Sequence, residues 1–140
     1  MARVTPPDFE LWLTGYVRAR AAAEGIDVDV DNVEPDDLTV EMERPLIVIR
    51  DDSGPRKDIP TFDRSVGATV LGGSKAFPKP INDIARWLSA VLSDEEIVTA
   101  PDSPIASLEL DGFNGPYPVN DALDVARRYQ TAQYTVVGSW

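Results

Sequence analysis

Two groups of residues in this chain have the types and spacing that chemistry uses. The first is Gly67-x-x-x-x-Gly72 followed by Gly73-Ser74-Lys75, placed between a predicted strand and a predicted helix. A phosphate-cradling loop sits in that setting, but it carries Lys-Ser/Thr directly after its second glycine. Here the lysine is displaced, so the stretch reads as a flexible strand-to-helix link. The second is Asp27, Asp29 and Asp31, which match the opening of a calcium loop. The sixth position is then Asn32 instead of glycine and the twelfth is Leu38 instead of glutamate, so an acidic solvated segment is the better reading. Nucleophilic chemistry has no such group. The chain has neither histidine nor cysteine, which removes Ser-His, Cys-His and His-ligated devices. No Ser-x-x-Lys spacing occurs at Lys57, Lys75 or Lys79. Carboxylate pairs for glycoside chemistry are set by three-dimensional spacing, and no pocket motif accompanies the acids. Trp12, Trp87 and Tyr134 have no interleaved basic residues and read as core or subunit-contact aromatics, not as a base-stacking platform. The residues thus point to a structural or binding module with no catalytic residues, no cofactor and no metal.

The composition agrees with that reading. At 140 residues and 43% hydrophobic content, the chain reads as a single domain, 1–140, that buries its own core without a disulfide or metal staple. Absence of cysteine fits a reducing cytosol. No apolar signal region and no run of 18 apolar residues is visible, so no membrane role is expected. The formal charge is −11, concentrated where Asp27, Asp29, Asp31, Glu34, Asp36, Asp37, Glu41, Glu43, Asp51 and Asp52 face only Arg44 and Arg50. Such a field repels phosphates and anionic lipid, so specific nucleic-acid binding is not expected.

The elements that would position any site can be read from apolar spacing. A helix is predicted over 7–24, with Pro7 at its start and Gly25 as its stop. Its face is Phe9, Trp12, Leu13, Tyr16, Val17 and Arg20. Ile26, Val28 and Val30 alternate with acids, which permits a short edge strand or a solvated connection; Leu38, Val40 and Met42 form a second weak alternation. Leu46 to Arg50 reads as a strand apolar on both faces. Asp51 to Pro55 is turn chemistry, and a strand from Thr61 to Leu71 points Phe62, Val66, Ala68 and Val70 inward. These two strands predict an antiparallel hairpin with a long polar tip. Pro80 opens a second helix with Ile81, Ile84, Ala85, Leu88, Val91 and Leu92 on one face. Ala106, Leu108 and Leu110 define a third strand, Gly112 to Pro118 a loop, and 120–127 a helical turn. A last strand over 129–137 turns Ala132, Tyr134 and Val136 to one side. The order is α-β-β-α-β-β. An α+β fold follows, with a four-stranded, mainly antiparallel sheet and both helices on one face.

That order resembles the tail terminator proteins of long-tailed bacteriophages (siphophages). It is carried by the N-terminal helix, Pro45-Leu-Ile-Val-Ile-Arg50, the Gly54-Pro55 turn, Asp63-Arg-Ser-Val-Gly-Ala-Thr-Val70, the Ile84-Ala-Arg-Trp-Leu88 helix, and the Gly115-Pro116-Tyr-Pro118 loop. A terminal strand through Arg128-Tyr129-Gln130 and Tyr134-Thr-Val-Val137 completes it. The acidic stretch before Pro45 is richer in charge than the family pattern. The resemblance implies a virion protein assembled in the host cytoplasm. It would form a homomeric ring, a hexamer, at the head-proximal end of the tail tube. That ring stops tube polymerisation and joins the tail to the head connector. Its partners would be itself, the tail tube protein and the connector protein, with DNA passing through unbound. On this reading Asp51, Asp52, Ser53, Gly54, Pro55, Arg56 and Lys57 supply a subunit interface, and Asp27, Asp29 and Asp31 line the lumen. Another phage neck or tail subunit, or a small non-viral adaptor, are the alternatives.

Overall fold

The first helix forms where its apolar spacing places it, and its ends are set by two residues. In the computed structural model, which describes residues 3–38 and 42–140, α1 spans Phe9–Glu24. Asp8 is the N-cap, its carboxylate accepting from the Leu11 N–H at 3.3 Å, so the helix starts two residues after Pro7. Gly25 ends it at φ 70°, a left-handed position that glycine adopts without steric cost. Phe9, Leu13, Val17 and Ala21 are buried. Trp12 and Tyr16 lie half-buried beside them, and Arg20 instead pairs with Glu24 at 2.9 Å.

The strands are β1 (Asp29–Asp31), β2 (Leu46–Asp51), β3 (Thr61–Gly72), β4 (Ile105–Leu108), β5 (Asn114–Pro118) and β6 (Ala126–Val137). The helices after α1 are α2 (Lys79–Leu92) and the four-residue α3 (Glu96–Thr99). The α+β class and the mostly antiparallel sheet match the sequence reading, but among the described residues the sheet has six strands, not four. Its order is β1-β2-β3-β6-β4, with β5 also paired to β6. β1 runs parallel to β2, and the other pairings are antiparallel. The edge-strand option at 29–31 is therefore the one realised. The Leu38–Val40–Met42 alternation includes Val40, which lies outside the described residues.

Three other expectations are corrected. The 112–118 loop contains β5, an edge strand in which proline costs no ladder bond on the solvent side. No helical turn occupies 120–127; the Asp121 carboxylate accepts from the Leu123 N–H, and β6 begins at Ala126. In β4 the inward residue is Ile105, because an irregular register between Ile105 and Ser107 displaces the alternation; Ala106 is exposed, and Leu110 lies in a separate 3-10 turn.

Both long helices cover the same sheet face. β3 and β6 are aligned in register so that Phe62, Val66, Ala68 and Val70 stand opposite Val136, Ala132, Gln130 and Arg128. These residues, except Arg128 and Gln130, join Ile47, Ile49, Leu13, Val17, Ile81, Ala85 and Leu88 in one core. Tyr134 is fully buried there; its hydroxyl donates to the Leu92 carbonyl at 2.5 Å, and its ring meets Phe9 and Phe113 edge-on. Burial raises its phenol pKa far above the ordinary value. Leu88 sits in this core at zero exposure, and burial of such a leucine contributes roughly 1.5–3 kcal/mol. The opposite sheet face carries Asp63, Ser65, Thr69, Thr131, Gln133 and Thr135. A small apolar cluster of Leu46, Val48 and Leu71 remains there, under Leu38 and Met42.

Candidate assembly surfaces

The β2–β3 connection was expected to be a free polar tip. It is an ordered continuation of the hairpin. The Asp52 N–H donates to the Ser65 carbonyl at 2.8 Å, the Ser65 N–H to Ser53 at 3.0 Å, and the Asp63 N–H to Pro55 at 2.9 Å. Ser53 takes φ 70°, its N–H held by the Asp51 carboxylate at 2.7 Å. Gly54 lies so close to the Asp63 carbonyl that a Cβ has no room. The sequence-predicted interface residues therefore divide. Asp51, Ser53, Gly54 and Pro55 build the hairpin, while Asp52, Arg56 and Lys57 present side chains to solvent.

Asp51 is the most embedded of the set. Its backbone N–H donates to Glu10 at 2.8 Å, and its carboxylate lies 3.6 Å from the buried Arg64 guanidinium. Burial pushes the Asp51 carboxyl above the usual carboxylate range, with the Ser53 N–H and Arg64 opposing the shift. Arg56 and Arg64 both lie over the Phe62 ring, at 4.5 Å and 5.2 Å. Beyond them Ile59 is 64% exposed. The sequence reading missed it by stopping at the charged residues; an isoleucine inside a polar turn was the available signal.

The acidic segment is also more committed than its charge suggests. Arg44 lies 3.1 Å from Asp27 and 3.5 Å from Asp29, so a guanidinium occupies the position a cation would take. Asp31 accepts from the following Asn32 N–H at 2.8 Å. Further along, Glu34 reaches Arg127 on β6 through two bonds, at 2.7 Å and 3.2 Å. Arg127 Nε donates to Asp121 at 2.7 Å. The Leu123 N–H and then Arg127 hold the Asp121 carboxyl below its ordinary range. The segment after β1 is thus a strap across the outer sheet face, closed by one arginine between two carboxylates.

Other polar groups are similarly engaged. Lys75, the lysine of the glycine-rich link, donates from Nζ to the Asp121 carbonyl at 2.6 Å, and its N–H donates to Asp124 at 3.1 Å. Trp12 stacks on Tyr16 at 5.1 Å and donates to Pro101, while Trp87 donates to Glu24. On the outer face, Glu109 accepts from the Thr135 and Ser107 hydroxyls, which lower its pKa. No helix among the described residues is long and apolar enough to cross a membrane. No protein-family model and no curated protein matches the chain.

Proposed function

We propose that this chain is the subunit of a ring that closes the head-proximal end of a long-tailed phage's tail tube and joins it to the head connector. The reading is carried by the whole-chain order of elements. That order builds a single sheet-and-helix layer whose two edges, β1 at one side and β4 with β5 at the other, are different from each other. A subunit with two unlike edges is suited to head-to-tail contacts that close by rotation. The hairpin supports it too, because an ordered arm ending in exposed Ile59, Arg56 and Lys57 can reach a neighbour.

The mechanism is geometric. One ring face fits the last ring of the tube, and the other offers the connector a surface that does not template another tube subunit. The work is done by shape and contact area, so the function requires no turnover. Reconstitution with the cognate tail tube protein tests the reading. Tubes should acquire one ring at one end and stop lengthening, whereas tubes without this chain should grow to mixed lengths. Tubes that lengthen without limit in its presence, or that bind it along their sides, would refute the proposal.

A further inference from the structure

The chain is strongly acidic, yet one cleft is cationic. Between α2 and the β5 end of the sheet lies an open cavity of about 380 Å³, lined by Lys79, Asn82, Asp83, Arg86, Pro116 and Arg128. Asp83 is the one carboxylate in that lining, 2.9 Å from Lys79 and 3.8 Å from Arg86. Arg128 has no carboxylate within 4.0 Å among the described residues. Its Nε donates to Asn82 at 2.6 Å, and another nitrogen donates to the Arg127 carbonyl at 2.9 Å. The cleft therefore holds cationic charge that its own acids do not balance.

The complementary surface is on the opposite edge of the same sheet. Asp27, Asp29 and Asp31 are exposed along and beside β1, and Arg44 is the cation paired with Asp27 and Asp29. Asp29 and Asp31 are two residues apart on a strand and so project to the same side, roughly 7 Å apart. We propose that the Lys79–Arg86–Arg128 cleft receives the Asp27–Asp31 edge of a second copy of this chain. The inference rests on the ring reading and specifies its contact. It assigns Asp27, Asp29 and Asp31 to the junction between subunits instead of the lumen wall.

Charge complementarity selects this occupant. A nucleic-acid phosphate backbone offered to the same cleft must approach a chain of net charge −11, which opposes the counterion release that drives such binding. A second copy brings its acids on the edge strand β1, where the Arg18 side chain already holds the outward Val30 carbonyl and the Asp29 and Asp31 side chains stay exposed. Because cleft and strand lie at opposite edges, each contact leaves one of each surface free for the next subunit, as a closed ring requires.

Two variants test the contact. Lys79→Glu/Arg86→Glu makes the cleft acidic, and Asp29→Lys/Asp31→Lys makes the edge basic; all four side chains are exposed, and circular dichroism checks that the fold is kept. Sedimentation at low salt, alone and with tail tubes, reads the assembly of the full chain. Wild type should assemble, and each variant alone should lose assembly because like charges meet. An equal mixture of the two should regain it, since every contact again joins opposite charges. Variants that assemble like wild type, or a mixture that stays monomeric, would overturn the contact while leaving the ring reading intact. Wild type that neither self-associates nor caps tubes would overturn both. Duplex DNA binding by wild type that Lys79→Glu/Arg86→Glu abolishes would make the cleft a phosphate site and overturn the contact.

Discussion

Replacing Arg127 with alanine should unfasten the strap that crosses the outer sheet face. Arg127 and Asp121 are 17% and 11% exposed at their side chains, whereas Glu34 is 38% exposed. Removing one partner of a buried pair costs about 3–5 kcal/mol. Asp121 keeps its bond from the Leu123 N–H, and the Glu34 arm is solvent-screened and worth at most about 1 kcal/mol. The net loss expected at pH 7 is about 2–3 kcal/mol. For a chain of this size that lowers Tm by about 7–10 °C. The Asp121 carboxyl is held below its unfolded value. Its contribution is therefore present above the ordinary carboxylate pKa and is lost as pH falls through the lowered folded value. The wild-type-minus-variant difference should be full at pH 7 and shrink below about pH 4. Thermal melts at pH 7 and pH 3, with amide exchange across Asn32–Leu38, give the readout; exchange in the strap should rise while α2 stays protected. An unchanged Tm at pH 7 would show that the clamp contributes nothing. An equal difference at both pH values would show that the loss is not ionic.

Leu88→Ala should cost about 2–5 kcal/mol by chemical denaturation, since the side chain is wholly buried; Leu88→Asp should yield no soluble folded protein on expression. Gly54→Ala should lower stability by about 1–3 kcal/mol in the same assay, because its Cβ runs into the Asp63 carbonyl and strains the hairpin. Deleting 52–57 should likewise destabilise the fold and not merely trim a tip, as the Asp63 and Ser65 N–H groups lose their acceptors; a melt checks this. Anisotropy titration with duplex DNA should show no binding at physiological salt, and micromolar affinity with a steep salt dependence would refute the electrostatic argument.

The long elements were legible because their burial is periodic. Phe9, Leu13 and Val17 in α1, and Ile81, Ala85 and Leu88 in α2, repeat at helical spacing and are the residues buried. β3 and the central part of β6 alternate as read. What was missed lacks a period. α3 has only four residues, and β5 hides behind Pro116 and Pro118. The hairpin and the strap were misread for a different reason. Turn residues and acids look solvated in a local window, but their partners are distant: Glu34 is bonded to Arg127 across 93 residues. The cationic cleft escaped notice on the same ground, since Lys79 and Arg86 on α2 meet Arg128 only once β6 is in place.

The formal charge of −11 is therefore not one undifferentiated field. Asp8 caps α1, Glu10 accepts from the Asp51 backbone N–H and the Asn32 side-chain amide, Glu109 accepts two hydroxyls, and Asp121 with Glu34 clamps Arg127. These acids hold the fold through hydrogen bonds, and those from the Asp51 N–H to Glu10, from Arg127 to Asp121 and from Thr135 to Glu109 are part-buried, so salt screens them less. Asp29 and Asp31, with the cations of the α2 cleft, are exposed and stand within reach of screening, whose length falls from roughly 10 Å at 0.1 M to 3 Å at 1 M salt. Fold and assembly should consequently respond differently to ionic strength. Raising salt should dissociate subunits well before it lowers Tm, and sedimentation and melting run on the same samples would expose the separation. If the two losses coincide, the same ion pairs govern both, and the partition of acids into folding and docking groups is wrong.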